Sequence, residues 1–199
     1  MTRLNHLADR LNRIGDDALP LLARLVFAGV LLMYFWASGL TKLGDGLAGL
    51  FLPGSGAYAQ IFPRAFEAAG YDLSQLGLYH WAVVLGGTWA EFILPALIVL
   101  GLLTRLAALG MIGFVALQSL VDIVGHAADA ATIGTWFDRA SGALIVDQRA
   151  LWVLLLTILV LKGAGALSLD RALFTAPVRR GPAGSSRDAT APHVRSPGV

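Results

Sequence analysis

No cysteine occurs anywhere in the 199 residues, which removes disulfides, thiolate metal sites, iron–sulfur ligation and dithiol relays from what the chain can do by itself. Charge is scarce as well. Asp, Glu, Lys and Arg make up 14% of the chain, against about a quarter in an ordinary soluble domain. There is no HExxH and no helical histidine pair suited to haem, and neither GLTK at 39–42 nor LPGSG at 52–56 completes a phosphate loop or a dinucleotide fingerprint. His80, Asp122 and His126 offer nitrogen and oxygen donors, but their spacings match no metal box. The formal net charge is only +2. Its basic residues stand beside apolar blocks and are not interleaved with aromatics, so no nucleic-acid surface is indicated.

What the chain has in abundance is long apolar runs, reflected in a mean hydropathy of +0.68. The first, Pro20 to Lys42, is uncharged from Leu25 to Leu40 and carries Arg24 and Lys42 at its ends. On a helix those two would lie about 27 Å apart on one face, close to the thickness of the bilayer hydrocarbon. Comparable blocks follow at Tyr79–Thr104, Leu106–Val124 and Ala150–Leu169. The fold class predicted is all-α: a polytopic membrane protein with a four-transmembrane-helix bundle at residues 19–171. The first run is too long for a signal h-region and lacks a persuasive cleavage site, so it is expected to be a retained span.

Residues 1–18 place Leu4, Leu7, Leu11 and Ile14 at helical spacing among charges. They predict an amphipathic lead-in at the membrane surface, with a partner-binding helix as the alternative. Residues 172–199, rich in Arg, Gly, Pro, Ser and Ala, read as a flexible basic tail. The connection after the first span holds an apolar segment, Ala57 to Ala69, interrupted by Pro63, that would form an interfacial cap or a substrate lid. The connection at 127–148, with Trp136 and Phe137, reads as a surface hairpin or short interfacial helix. Only Arg105 separates the second and third blocks, predicting a tight turn between antiparallel neighbours. The termini carry most of the arginines, so the positive-inside rule puts both in the cytoplasm.

Polar residues at depth are the candidates for function. Glu91 stands in the middle of an apolar block, a costly place for a carboxylate. Pro95, four residues on, removes the hydrogen bond to the Glu91 carbonyl. A structural ion pair, a kink or a ligand site would each account for it. Gln118, Asp122 and His126 recur every four residues as one polar stripe expected to face inward. Lys162 would snorkel to the surface or bridge to Glu91. By height, Lys42, His80, Gln118, Asp122 and His126 form a candidate outer ligand pocket able to orient a carbonyl, an anion or a quinone headgroup. Glu91 and Asp122 are the candidate proton-handling, catalytic groups.

GLTK at Gly39–Lys42, WAEFILPALIVLGLLTRLAAL at Trp89–Leu109 and KGAGALSLD at Lys162–Asp170 occur in that order among four apolar spans. In this combination the chain resembles the DoxX family of small four-helix bacterial membrane proteins over roughly residues 20 to 171. The resemblance implies a multi-pass protein of the bacterial inner membrane. Relatives include membrane subunits of thiosulfate:quinone oxidoreductase and proteins associated with redox assemblies. Arg24, Lys42, Glu91, Arg105, Lys162 and Asp170 match polar positions that the family pattern emphasises. Lacking cysteine, this chain would need a soluble or membrane redox partner for any sulfur chemistry. The expected function is a membrane subunit of a redox system that provides a quinone or small-molecule pocket, with the lipid bilayer around it and homo-oligomers allowed. The alternative is a non-enzymatic carrier or membrane scaffold whose buried charges are structural.

Overall fold

The computed structural model describes residues 2–174. The basic tail beyond Phe174 lies outside the described residues. No strand occurs among the residues described, and four helices are long and apolar enough to cross a membrane. The chain is an all-α, multi-pass membrane protein.

Helix α1 (Thr2–Phe27) passes through a π-helical turn, Ala28–Leu32, into α2 (Met33–Leu40). The structure draws no break at residue 18, so the amphipathic lead-in and the first span are one rod. Pro20 sits inside α1, fully buried where the bare Gly165 backbone lets it approach: a Cβ on Gly165 would stand 3.0 Å from the Pro20 ring. Two short helices follow, α3 (Ser55–Ile61) and α4 (Pro63–Ala68), split at Pro63, which begins α4. Their Ala57, Tyr58 and Phe66 bury against Val84 of α5 (Leu78–Leu100), which makes this segment a packed cap on the bundle. Trp81 and Trp89 of α5 donate indole N–H bonds to the carbonyls of Phe51 and Leu50, 3.0 and 2.9 Å away, and hold the preceding turn down.

The next turn differs from the expectation that Arg105 alone forms it. Helix α5 ends at Leu100, and α6 (Thr104–Leu120) begins with Arg105 as its second residue. Gly101 and Leu103 make the reversal in the left-handed region, at φ 69° and 49°, where glycine carries no penalty. A π-helical turn, Val121–Gly125, extends α6 and holds Asp122. After α7 (Ala130–Ile133), a third π-helical turn, Leu144–Gln148, leads into α8 (Arg149–Lys162). The last span thus starts earlier than expected and stops at Lys162, because Gly163 takes φ 81°. The short α9 (Leu169–Phe174) turns back beneath the bundle.

The first span, α5, α6 and α8 pack in a ring, α8 closing onto α1. Phe27, Leu31, Phe35, Ile98, Met111, Val115, Leu156 and Leu159 fill its centre. Outward faces carry exposed Leu25, Met33, Leu106, Leu117, Leu154 and Leu161. An apolar outside around a core with buried charges suits lipid as the solvent. Both described termini lie at one end of the ring and the α3–α4 cap at the other.

Candidate functional site

Two polar clusters lie inside the bundle towards the capped end, and they differ in access. The first is closed. The Lys42 ammonium contacts both Glu91 carboxylate oxygens at 3.0 Å, and both side chains are almost wholly buried. Ser38, one turn before Lys42, donates to Glu91 Oε1 at 3.0 Å, and its own Oγ accepts from Lys42 Nζ at 2.7 Å. The close approach of α2 to α5 that makes this possible runs through Gly39, where a Cβ would stand 2.7 Å from the Phe92 ring. Trp36 ties the same helices by donating to the Phe92 carbonyl at 3.2 Å. The open question about Glu91 has a geometric answer: its partner is Lys42. Lys162, at the other end of the bundle, contacts Asp16 at 2.5 Å instead.

The second cluster is a layer crossing three helices beside an open groove. Arg149, at the start of α8 and buried, donates to Asp122 Oδ2 at 2.5 Å and to Ser119 Oγ at 2.9 Å. Gln118 donates to the Tyr34 hydroxyl at 3.1 Å, and the Tyr34 ring meets Trp152 edge-on with centroids 5.2 Å apart. Two buried atoms of this layer, Gln118 Oε1 and Arg149 Nε, have no hydrogen-bond partner among the described residues. Between α1 and α8 lies a cavity of about 320 Å³ lined by Val26, Val30, Leu31, Leu151, Leu155, Gln148 and Trp152. Its walls are aliphatic for most of their length, and Gln148 and Trp152 bring an amide and an indole to it. Two of the three π-helical turns border this groove, and the third belongs to the polar layer. Ala28–Leu32 supplies Val30 and Leu31, Val121–Gly125 supplies Asp122, and Leu144–Gln148 delivers Gln148 next to Arg149. Such turns are uncommon and are frequent at functional sites.

The five residues expected to form an outer pocket are therefore distributed. Lys42 belongs to the closed cluster, and Gln118 and Asp122 to the open layer. His126 is exposed, its Nε2 3.0 Å from the Gln60 carbonyl. His80 packs against Phe62 and Tyr79, and its buried Nδ1 has no partner among the described residues. The Gln118–Asp122–His126 stripe exists, but each member meets a different element, because the π-helical turn rotates the end of the span. Among the described residues, no three His, Asp or Glu side chains gather to hold a metal ion.

The polar residues at the end that carries the termini build a latch. Arg24 Nε donates to the Ile98 carbonyl at 3.0 Å and Nη2 to that of Val99 at 2.6 Å, while Nη1 reaches the Ala164 carbonyl at 3.0 Å and also that of Leu167. It thus satisfies the Val99 carbonyl near the C-terminus of α5 and gives a second donor to the Ile98 carbonyl, which already accepts from the Gly101 amide. Asp170 accepts from the amides of Leu103 and Thr104 at 2.6 and 3.0 Å and caps α6. Burial pushes the Asp170 carboxyl up, but those amides and the Arg24 charge outweigh it and hold it below the usual carboxylate range.

Sequence reasoning passed over Tyr34, Ser38, Ser119, Arg149 and Trp152. Ser38 precedes Lys42 by one helical turn, a spacing that puts it beside Lys42 once Lys42 is known to point inward. Arg149 was legible only as a charge at the border of a span. The DoxX family model matches residues 19–121. No curated protein and no solved structure matches the chain.

Proposed function

The chain belongs to the DoxX family, and on that footing we propose that it is a membrane subunit of a redox system in the bacterial inner membrane, binding a quinone in the groove between α1 and α8. The observation that carries this reading is an aliphatic groove that shares Trp152 with a polar layer in which a buried donor and a buried acceptor, Arg149 Nε and Gln118 Oε1, have no hydrogen-bond partner among the described residues. An isoprenoid tail suits Val26, Val30, Leu31 and Leu155. A ring with carbonyl oxygens suits the end marked by Gln148 and Trp152. A bound quinone would supply the electron- and proton-accepting chemistry. On the protein side, Arg149 follows the groove residue Gln148 and holds Asp122 by a charge-assisted bond, so Asp122 is the carboxylate assigned to proton handling, one side chain removed from the groove. Lys42 and Glu91 already satisfy one another inside the bundle, so the proposal assigns them to support. Without cysteine the chain has no dithiol of its own, and electrons from sulfur compounds come through a partner oxidoreductase.

Native purification followed by mass spectrometry of extracted lipids tests this. Quinone is expected to copurify and to fall at least tenfold in Val30→Trp, which fills the groove from its exposed side, and in Arg149→Gln. Equal quinone in wild type and both variants would refute the pocket. The second reading, a carrier or scaffold with structural charges, draws on the closed Lys42–Glu91 pair. It would be favoured if neither variant altered electron transfer in a reconstituted complex.

A further inference from the structure

We infer that the end of the bundle carrying the termini has a second site, one that binds a phosphoryl group supplied by a phospholipid headgroup or by a soluble phosphate ester. A cavity of about 660 Å³ opens there between Asp16 and Asp17 of α1, the start of α6 and the loop from Gly163 to Ser168. Six charged side chains line it, three of each sign: Asp16, Asp17, Arg105, Lys162, Asp170 and Arg171.

Their bonding separates those engaged from those available. Lys162 and Asp16 hold each other at 2.5 Å, and Asp170 is occupied by the amides of Leu103 and Thr104. That leaves two guanidinium groups, those of Arg105 and Arg171, and one carboxylate, Asp17, on the cavity wall. Neither guanidinium has a hydrogen-bond acceptor among the described residues. A second, independent sign lies at the back of the cavity. Thr104 is fully buried, and its Oγ1 has no partner among the described residues.

Two guanidinium forks and a buried hydroxyl lining one cavity suit the tetrahedral oxygens of a phosphoryl group better than a planar or neutral ligand. Arg105 is placed for this by a bare stretch of backbone: a Cβ on Gly163 would stand 3.2 Å from its Nε. Leu103 and Leu106, 47% and 67% exposed, form an apolar rim where acyl chains would pass. Basic pockets between spans near the membrane surface take lipid headgroups in this way. The site shares no lining residue with the α1–α8 groove and stands whether or not a quinone binds there.

Native mass spectrometry of the full-length protein in detergent can test this with three probes: dioleoylphosphatidylglycerol, dioleoylglycerol, which lacks the phosphate, and glycerol 3-phosphate. At least one phosphate-bearing probe is expected to bind, and dioleoylglycerol to bind at least tenfold more weakly than the phospholipid. The Arg105→Gln/Arg171→Gln double variant is expected to lose at least tenfold in affinity for the phosphate-bearing probe. Binding of the phospholipid alone assigns the lipid source, and binding of glycerol 3-phosphate assigns a soluble one. Ala166→Trp keeps every charge and fills the cavity from an exposed position, so it decides the matter if the double variant does not fold, with the same loss expected. Equal binding of the phospholipid and dioleoylglycerol, or unchanged affinity in folded Ala166→Trp, would overturn the site.

Discussion

Lys42 and Glu91 show what one turn of helix and one bare glycine accomplish. Each charge is nearly inaccessible, and each is matched by the other and by Ser38. Removing one partner leaves an uncompensated charge in a low-dielectric interior, at a cost of about 3–5 kcal/mol. Lys42→Met should therefore lower thermal stability in detergent sharply, and Lys42→Met/Glu91→Leu should recover most of the loss; an additive double variant would show that the two do not act as a pair. Asp170 supports a pH prediction. Its native carboxyl lies below the ordinary value of 3.8, so its contribution is complete above that value and is lost as pH falls through the lower native one. Asp170→Ala should cost about 0.5–2 kcal/mol at neutral pH and flatten the acid limb of a stability-against-pH curve. Glu91 was conspicuous in sequence as an acid among apolar residues. Its partner, 49 residues away, was not, because which faces meet depends on helix rotations that composition does not encode.

At the scale of elements, glycine and the π-helical turns set the geometry. Gly39→Ala would drive a methyl into the Phe92 ring and should destabilise by about 1–3 kcal/mol. Phe92→Leu in the same chain should recover part of that by making room, and a melting series of the four proteins would show it. The four spans were legible from their apolar length, since lipid accepts little else. Their ends were not. Gly101, Leu102 and Leu103 are as apolar as the helices they join, so hydropathy runs through the turn, and only the left-handed backbone at Gly101 and Leu103 reveals it. The π-helical turns leave no such trace in composition, which is why the pairing of Asp122 with Arg149, and the place of Gln148 on the groove, could not be read in advance. By contrast KGAGALSLD, noticed as a motif, contains two glycines at positive φ and the Asp170 cap.

For the molecule as a whole, the absence of cysteine makes orientation directly measurable. Single-cysteine variants at His6 and Phe137, at opposite ends of the bundle and both exposed, give a clean labelling background. With both termini cytoplasmic as the arginine distribution predicts, Phe137→Cys should react with an impermeant maleimide in intact cells. His6→Cys should react only after permeabilisation, and the reverse pattern would invert the topology. The latch adds a temporal order to this architecture. Asp170 caps Thr104 from 66 residues further along the chain, and Arg24 waits for the carbonyls of Ala164 and Leu167. During synthesis the α5–α6 hairpin is made before the residue that seals its turn. A chain arrested before Leu169 would therefore carry all four spans yet lack the Asp170 cap, and the turn between α5 and α6 would stay unsealed.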